Sequence, residues 1–293
     1  MRILFVTANR LGDAVLSTGL LDHLIRTYPR ARITVACGPV AAGVFQRMPN
    51  LERIVVIAKQ PFGRHWLPLW AMAVTRWWDL VVDIRGSALS WLIPVRHRAV
   101  MRPSTGPKTV QLARVLGLHQ VPLPVVWFSA EDDARAASLL PPGRPVIVLA
   151  PTANWAPKVW PAERFVTLFQ RLAAGSFPGA MPAVIAGPGE AEAAMAEPLL
   201  RALPNAIDLI GRLSLAEIAA LLSRSSLFVG NDSGLMHLAA ASGVPTLGLF
   251  GPTNAAEYGP AGPRATALCG PDTAMESLSV DAVVEAAARL LAA

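Results

Sequence analysis

Cysteine is nearly absent from this 293-residue chain: only Cys37 and Cys269 occur, and they lie far apart. Two such residues build neither a disulfide framework nor a zinc cluster, and their scarcity suits a reducing cytoplasm. Histidine is as sparse, five scattered residues without ligand-like spacing, so no metal site is expected. Charged residues make up only 16% and the mean hydropathy is +0.42, yet no uninterrupted run of about 18 apolar residues exists. The richest stretches, Trp66 to Trp78 and Leu235 to Phe250, are broken by Arg, His, Ser, Gly and Pro and read as buried elements of a soluble fold. Met1 to Ala8 leads straight into Asn9, Arg10 and Asp13 without the basic, apolar and small-residue regions of a signal peptide, so export is not expected. Internal repeats and nucleic-acid-binding motifs are missing as well.

What is present is apolar mass, 53% of the chain, enough to build a core in each of two ordinary domains. The charge is uneven. Residues 1–120 hold sixteen Lys or Arg against five Asp or Glu, while residues 121–293 hold ten against fifteen. A first half with a balance of +11 is suited to an anionic partner such as a membrane surface, a phosphorylated glycan or nucleic acid; a solvated basic surface is the plainer reading.

Short β-branched runs alternate with helical patterns in the first half: strands at Ile3 to Thr7, Ile33 to Ala36, Ile54 to Ala58 and Leu80 to Ile84, and a helix at Ala14 to Thr27. Such alternation predicts βαβ units and a parallel sheet. Leu118 to Pro145 is rich in proline and reads as an interdomain connection, dividing the chain into residues 1–140 and 141–293. A second series follows, with strands at Val146 to Ala150, Ala183 to Ala186, Leu227 to Val229 and Thr246 to Phe250. Its helices are predicted near Ala162 to Ala174, Glu190 to Leu203, Leu215 to Ser223 and Leu235 to Ala241, the third opened by the capping box Ser214 and Glu217. Two consecutive doubly wound domains imply ligand sites beyond the carboxyl ends of the strands, in a cleft between the domains.

Three segments stand at such strand ends. In Ala8-Asn9-Arg10-Leu11-Gly12-Asp13, Gly12 permits a tight turn, and Asp13 either caps the following helix or acts as a general base. In Ala150-Pro151-Thr152-Ala153-Asn154-Trp155-Ala156-Pro157-Lys158, a loop of small and polar residues with one Lys suits phosphate, although a lone loop Lys is commonly just solvated. The third runs Gly230-Asn231-Asp232-Ser233-Gly234-Leu235-Met236-His237. It delivers a strand to a helix amino terminus, whose N–H groups and dipole favour a diphosphate. A capping Asp232 and a core His237 remain open at this level. Arg64 to Trp78 mixes Trp with Arg and reads either as a contact with the membrane interface or the lipid of an acceptor, or as a core helix filled by Trp.

The Gly12-Asp13 turn, the Lys158-Val159-Trp160-Pro161 loop, the Asp232-Ser233-Gly234-Leu235-Met236-His237 helix start and Phe250-Gly251-Pro252-Thr253 together resemble, in that order, glycosyltransferase family 9. The best-known members of that family are the ADP-heptose:lipopolysaccharide heptosyltransferases. The resemblance spans nearly the whole chain, departing from many relatives where Pro151-Thr152-Ala153 carries no central Gly. It implies an α/β fold of GT-B type, two Rossmann-like doubly wound domains facing across a cleft. It also implies an inverting transfer without metal or other cofactor, from ADP-heptose to an anionic lipopolysaccharide inner-core acceptor.

By the same resemblance Asp13 is the catalytic base. Thr152, Asn154, Lys158, Glu190, Leu213, Asp232, Ser233, Gly234 and His237 bind the donor, Glu190 at the ribose and Leu213 by its backbone at the adenine. Arg10, Gly12 and Arg85 fall to the acceptor. The implied partners are a nucleotide sugar and a lipid-linked oligosaccharide, at the cytoplasmic face of the inner membrane with peripheral contact, and no nucleic acid. A family member using another nucleotide sugar or a protein or small-molecule acceptor, and a non-catalytic nucleotide-sugar binder, are the alternatives.

Overall fold

The computed structural model describes residues 1–292. The chain divides into two compact units, Met1–Trp127 and a second from Phe128 onward. Each is a doubly wound α/β unit built on a parallel sheet, as the alternating pattern predicts.

The first unit contains β1 (Arg2–Val6), α1 (Leu11–Thr27), β2 (Arg32–Cys37), α2 (Ala42–Phe45), β3 (Leu51–Val56), α3 (Trp66–Val74), β4 (Trp78–Asp83), β5 (Val95–Val100) and α4 (Lys108–Val115). Its sheet order is β3-β2-β1-β4-β5. Ile3, Leu4, Phe5 and Val6 of β1 are all inaccessible to solvent, the near-continuous apolar run of a strand covered on both faces. Leu4, Val6, Trp78, Val81 and Leu89 form one side of the core. The buried Trp78 indole is satisfied because its Nε1 donates to the Ala73 carbonyl at 2.9 Å.

The second unit contains α5 (Ala130–Leu139), β6 (Val146–Ala150), α6 (Ala162–Ala174), β7 (Met181–Val184), α7 (Glu190–Ala202), β8 (Ile207–Asp208), α8 (Leu215–Ser223) and β9 (Leu227–Asn231). It continues through α9 (Gly234–Ser242), β10 (Thr246–Phe250), α10 (Ala255–Tyr258), β11 (Ala265–Cys269) and α11 (Val280–Ala292). Its sheet order is β11-β10-β9-β6-β7-β8. Ile147, Leu149, Trp160, Phe165, Leu168 and Val229 are among the residues at its core, and Trp160 meets Phe165 edge-on with 4.9 Å between ring centroids.

In both sheets the strand order reverses between two central strands, β1 and β4 in one and β6 and β9 in the other. Chain connections leave such a switch point in opposite directions, opening a crevice beyond the carboxyl ends.

The structure also departs from the sequence expectations. The division falls at Trp127 and Phe128, not between 140 and 141, because α5 lies inside the proline-rich segment and packs on α8. Arg224 of the α8 C-cap holds Asp133 of α5 through two hydrogen bonds of 2.6 Å. Helix α1 begins at Leu11 with Arg10 as N-cap. Gly12 is therefore helical rather than a turn residue, and Asp13 sits in the first turn without capping it. The 64–78 segment is neither wholly core nor wholly surface: α3 buries Leu69 and Ala73 and exposes Leu67 and Trp70.

Candidate functional site

In the first unit, Asn9, Arg10 and Asp13 follow β1, and Arg85 follows β4, so the switch point gathers them. The Arg85 guanidinium donates to Asn9 Oδ1 at 3.2 Å and lies over the Trp66 ring, 4.6 Å from its centroid. Its placement comes from Asp83. That buried carboxylate accepts from the backbone N–H of Arg85 and of Ser87, both at 2.9 Å, and from the Ser87 hydroxyl at 2.5 Å. Burial pushes the Asp83 carboxyl up, against these three donors and the Arg85 charge, which hold it down.

The turn needs Gly86, whose φ of 63° is in the left-handed region. Gly38 lets the β2 end close on Asn9: a Cβ there would stand 2.6 Å from Asn9 Cα. Asp13 is half-buried and makes no hydrogen bond or ion pair with the described residues, leaving its carboxylate available to a ligand. Arg10 is exposed beside it. A groove of about 620 Å³, lined by Trp66, Leu67, Trp70, Arg85, Ser87 and Leu92 among others, adjoins Arg85.

In the second unit, two clusters form at the ends of β6, β7, β9 and β10. Lys158 Nζ donates to Asp232 Oδ2 at 2.6 Å, and the Thr253 hydroxyl donates to the same oxygen at 2.8 Å. Their side chains are largely shielded, 17% exposed for Lys158 and 9% for Asp232. Lys158 is therefore an ion-paired residue rather than the free loop cation its sequence suggests. The loop that carries it is bolted by Asn231, which accepts from Trp160 N–H at 3.2 Å and donates to the Pro151 carbonyl at 2.8 Å.

In the other cluster Glu192 Oε2 accepts from the Thr152 hydroxyl at 2.6 Å and from Gly187 N–H at 2.7 Å, joining the β6 loop to the β7 loop. Glu190, two residues before, is exposed at the start of α7, and Asn154 is exposed in the β6 loop. Leu213 is half-buried just before the α8 cap, on a loop whose Gly211 abuts Pro188.

Helix α9 opens this site. Ser233 is its N-cap, but its side chain makes no capping bond. The Ser233 Oγ and His237 Nδ1 atoms are buried without a partner among the described residues. Ser129 of α5 and Ser214 of α8, by contrast, make full capping boxes. An uncapped helix start with an orphaned hydroxyl and imidazole is an environment that an anion's oxygens would complete. Burial pulls the His237 imidazole down to about 4, a shift that Lys158 reinforces and Asp232 opposes. At neutral pH His237 is therefore uncharged, and Lys158 is the cation of the cluster. No group of three His, Cys, Asp or Glu residues suited to a metal ion occurs among the described residues.

Sequence reasoning missed Glu192, Asp83 and the bolting role of Asn231, and it named Thr253 only within a motif, without its bond to Asp232. For Glu192 the only signal was the acidic pair two residues apart after Gly187-Pro188-Gly189.

The model of the family described as glycosyltransferase family 9 (heptosyltransferase) matches residues 72–286. Lipopolysaccharide heptosyltransferase 1 of Pseudomonas aeruginosa is 28% identical over 290 residues, covering 87% of this chain and 79% of the relative. Among solved structures, a family 9 glycosyl transferase from Veillonella parvula superposes with a TM-score of 0.83 at 21% identity, over 99% of this chain and 97% of that one. An E. coli heptosyltransferase solved with ADP gives 0.78 at 19% identity, over 99% and 100%. At these identities the structures speak for the fold.

Proposed function

From the premise that this chain belongs to glycosyltransferase family 9, we propose that it transfers heptose from ADP-heptose to an anionic, lipid-linked lipopolysaccharide core acceptor. Transfer proceeds with inversion and without a metal ion. The observation that carries the reading is the start of α9, where an uncapped helix terminus, the orphaned Ser233 hydroxyl and His237 imidazole, and the Lys158–Asp232 pair lie together. The names of the relatives, one of them solved with ADP, support an adenine diphosphate sugar as the occupant.

In this scheme the donor diphosphate takes the α9 N–H groups, the Ser233 hydroxyl and the Lys158 charge, which moves from Asp232 to phosphate. Asp232, released from Lys158 but still held by Thr253, accepts from sugar hydroxyls. Glu190 and Glu192 both lie in the first turn of α7, Glu190 for the ribose and Glu192 to hold Thr152. Asn154 and the Leu213 backbone complete the nucleotide contacts. Arg10, Gly12 and Arg85 belong to the acceptor side.

The Asp13 carboxylate takes the acceptor hydroxyl proton as that oxygen bonds to the anomeric carbon, and the bond from that carbon to the diphosphate oxygen breaks on the opposite face. The electron pair leaves with ADP, whose charge is met by the helix terminus and Lys158.

Thermal unfolding with ADP-heptose, ADP, UDP-glucose and GDP-mannose tests the donor. A ligand at 100 times its dissociation constant stabilises by about 2.7 kcal/mol. Stabilisation by ADP-heptose and ADP alone is expected. Stabilisation by only a non-adenine sugar nucleotide overturns the donor assignment.

A further inference from the structure

The second unit contains a cavity of about 480 Å³, lined by Ala156, Pro157, Pro252, Asp272, Thr273 and Glu276 among others. Such a volume is in the range of small-molecule sites. Two of its walls are chain neighbours of the Lys158–Asp232 pair: Pro157 precedes Lys158, and Pro252 precedes Thr253, whose hydroxyl donates to Asp232. The remaining wall is the loop after β11. Arg164 Nη1 of α6 donates to the Glu276 carbonyl at 2.6 Å and to the Leu278 carbonyl at 2.8 Å, and Trp160 Nε1 donates to Leu278 at 2.9 Å. This loop is thereby tied to the segment that carries Lys158, and the cavity is formed in advance of any ligand. Gly251 permits the close approach, since a Cβ there would stand 2.8 Å from Met275 Cγ.

The chemistry of the lining is one-sided. Asp272, Glu276 and Thr273 stand beside the rings of Pro157 and Pro252, and no Lys or Arg is among the lining residues. The Ser277 hydroxyl and the Ala274 N–H hold the Asp272 carboxyl below the usual carboxylate range, so it is charged. A phosphate would meet negative charge here. A neutral polyol would not: its hydroxyls can donate to acceptor-only carboxylates while its CH groups rest on the prolines. The place along the sheet agrees. In the order β11-β10-β9-β6-β7-β8, β7 and β11 each stand two strands from β9, on opposite sides, a distance of about 10 Å. A donor running from a ribose at the β7 loop to a diphosphate at the α9 start, after β9, is directed toward the β10 and β11 loops that form the cavity.

We propose that this cavity receives the exocyclic carbon chain of the donor sugar, and that Glu276 and Thr273 there distinguish a seven-carbon sugar from a hexose of the same ring configuration. This role rests on the proposed reading of the donor and adds a specificity site to it. The ring hydroxyls go to Asp232, and the hydroxyls of the longer side chain donate to Glu276 and meet the Thr273 hydroxyl. A hexose leaves Glu276 without one of these donors. A site that hydrogen-bonds a hydroxyl rejects an analogue lacking it, but Glu276 is exposed and water replaces the missing partner, so the discrimination is about tenfold rather than several orders. Thr273 is held at a φ of 64°, a left-handed conformation that glycine adopts without strain, so its side chain is not needed for the turn.

Calorimetric titration of the full chain with ADP, ADP-heptose and an ADP-hexose of the same ring configuration tests this, for wild type, T273G/E276A and E276Q. Wild type is expected to bind ADP-heptose about tenfold more tightly than the ADP-hexose. In T273G/E276A the two affinities should come within about threefold of each other, while ADP binds as in wild type because the cavity lies beyond the diphosphate. Should the double variant fail to fold, E276Q decides, and a several-fold loss of the preference is expected. Absence of ADP and ADP-heptose binding by wild type overturns the donor reading and this role with it. Intact ADP binding with equal affinities for the two sugars in wild type, or with a preference undiminished in the folded variants, overturns the role of the cavity alone. So does binding of Mg²⁺ or Ca²⁺ by wild type that T273G/E276A abolishes without changing the sugar preference, which gives the carboxylates to a cation.

Discussion

Lowering the pH from 7.5 to 5 is expected to destabilise the second unit through one residue, His237. The imidazole is 5% exposed, and burial pulls it down from its ordinary 6.5 to about 4. Between those two values the unfolded chain holds a proton that the native state refuses. The unfolded state then binds more protons, and stability falls as pH falls through 6.5, levelling only below about 4. The whole interval corresponds to about 3 kcal/mol, of which about 2 kcal/mol is lost by pH 5.

Urea unfolding followed by circular dichroism at pH 7.5, 6.5, 5.5 and 5.0 measures this loss. His237→Leu supplies the comparison, since it removes the titrating group without stranding a partner of Nδ1, which has none among the described residues. The variant should lose about 2 kcal/mol less than wild type over the same range. Parallel pH profiles for the two proteins, within about 0.5 kcal/mol, would refute the claim that His237 is held neutral by burial. A neutral His237 also leaves the diphosphate charge to Lys158, so ADP affinity should not track imidazole protonation between pH 6 and 8.

Asp13→Asn is expected to leave the melting temperature unchanged, because Arg10 and not Asp13 is the N-cap of α1, while turnover falls about 10²-fold or more; near-normal turnover ends its assignment as the base. Lys158→Met should weaken ADP binding at least tenfold by calorimetry. It should also cost about 1 to 3 kcal/mol of stability by stranding Asp232, a loss that Lys158→Met with Asp232→Asn should partly restore. Glu192→Ala frees the Thr152 hydroxyl and the Gly187 N–H. Donor KM should rise with little change in the far-UV spectrum, and an unchanged KM would make Glu192 purely structural.

The contrast between Lys158 and α9 says why part of the site was legible in the sequence and part was not. The α9 start could be read because its elements are contiguous: a fully buried run, Leu227–Asn231, then small residues, then a helix, so chain order alone puts Ser233 at a helix terminus. The bounds of β6, β10, α6 and α8 were legible for the same local reason, unbroken burial for the strands and a capping box or proline at the helix starts. Strand β5 escaped because Val-Arg-His-Arg-Ala-Val is an edge strand whose polar residues face solvent, and such a strand has no buried stripe to betray it. Helix α5 was hidden by surrounding prolines although Ser129 and Asp132 spell its capping box. Pairings across long separations leave no local trace at all. Lys158 looks like a solvated loop residue until Asp232, 74 positions later, is beside it, and Thr152 looks unattached until Glu192, 40 positions later, accepts its hydrogen bond. These pairs turn a loop of ordinary composition into a cradle held in position before any ligand arrives. In the proposed reading, backbone placement says where a diphosphate would sit, and side-chain pairing would set how much protein stability is given up if Lys158 leaves Asp232 for it.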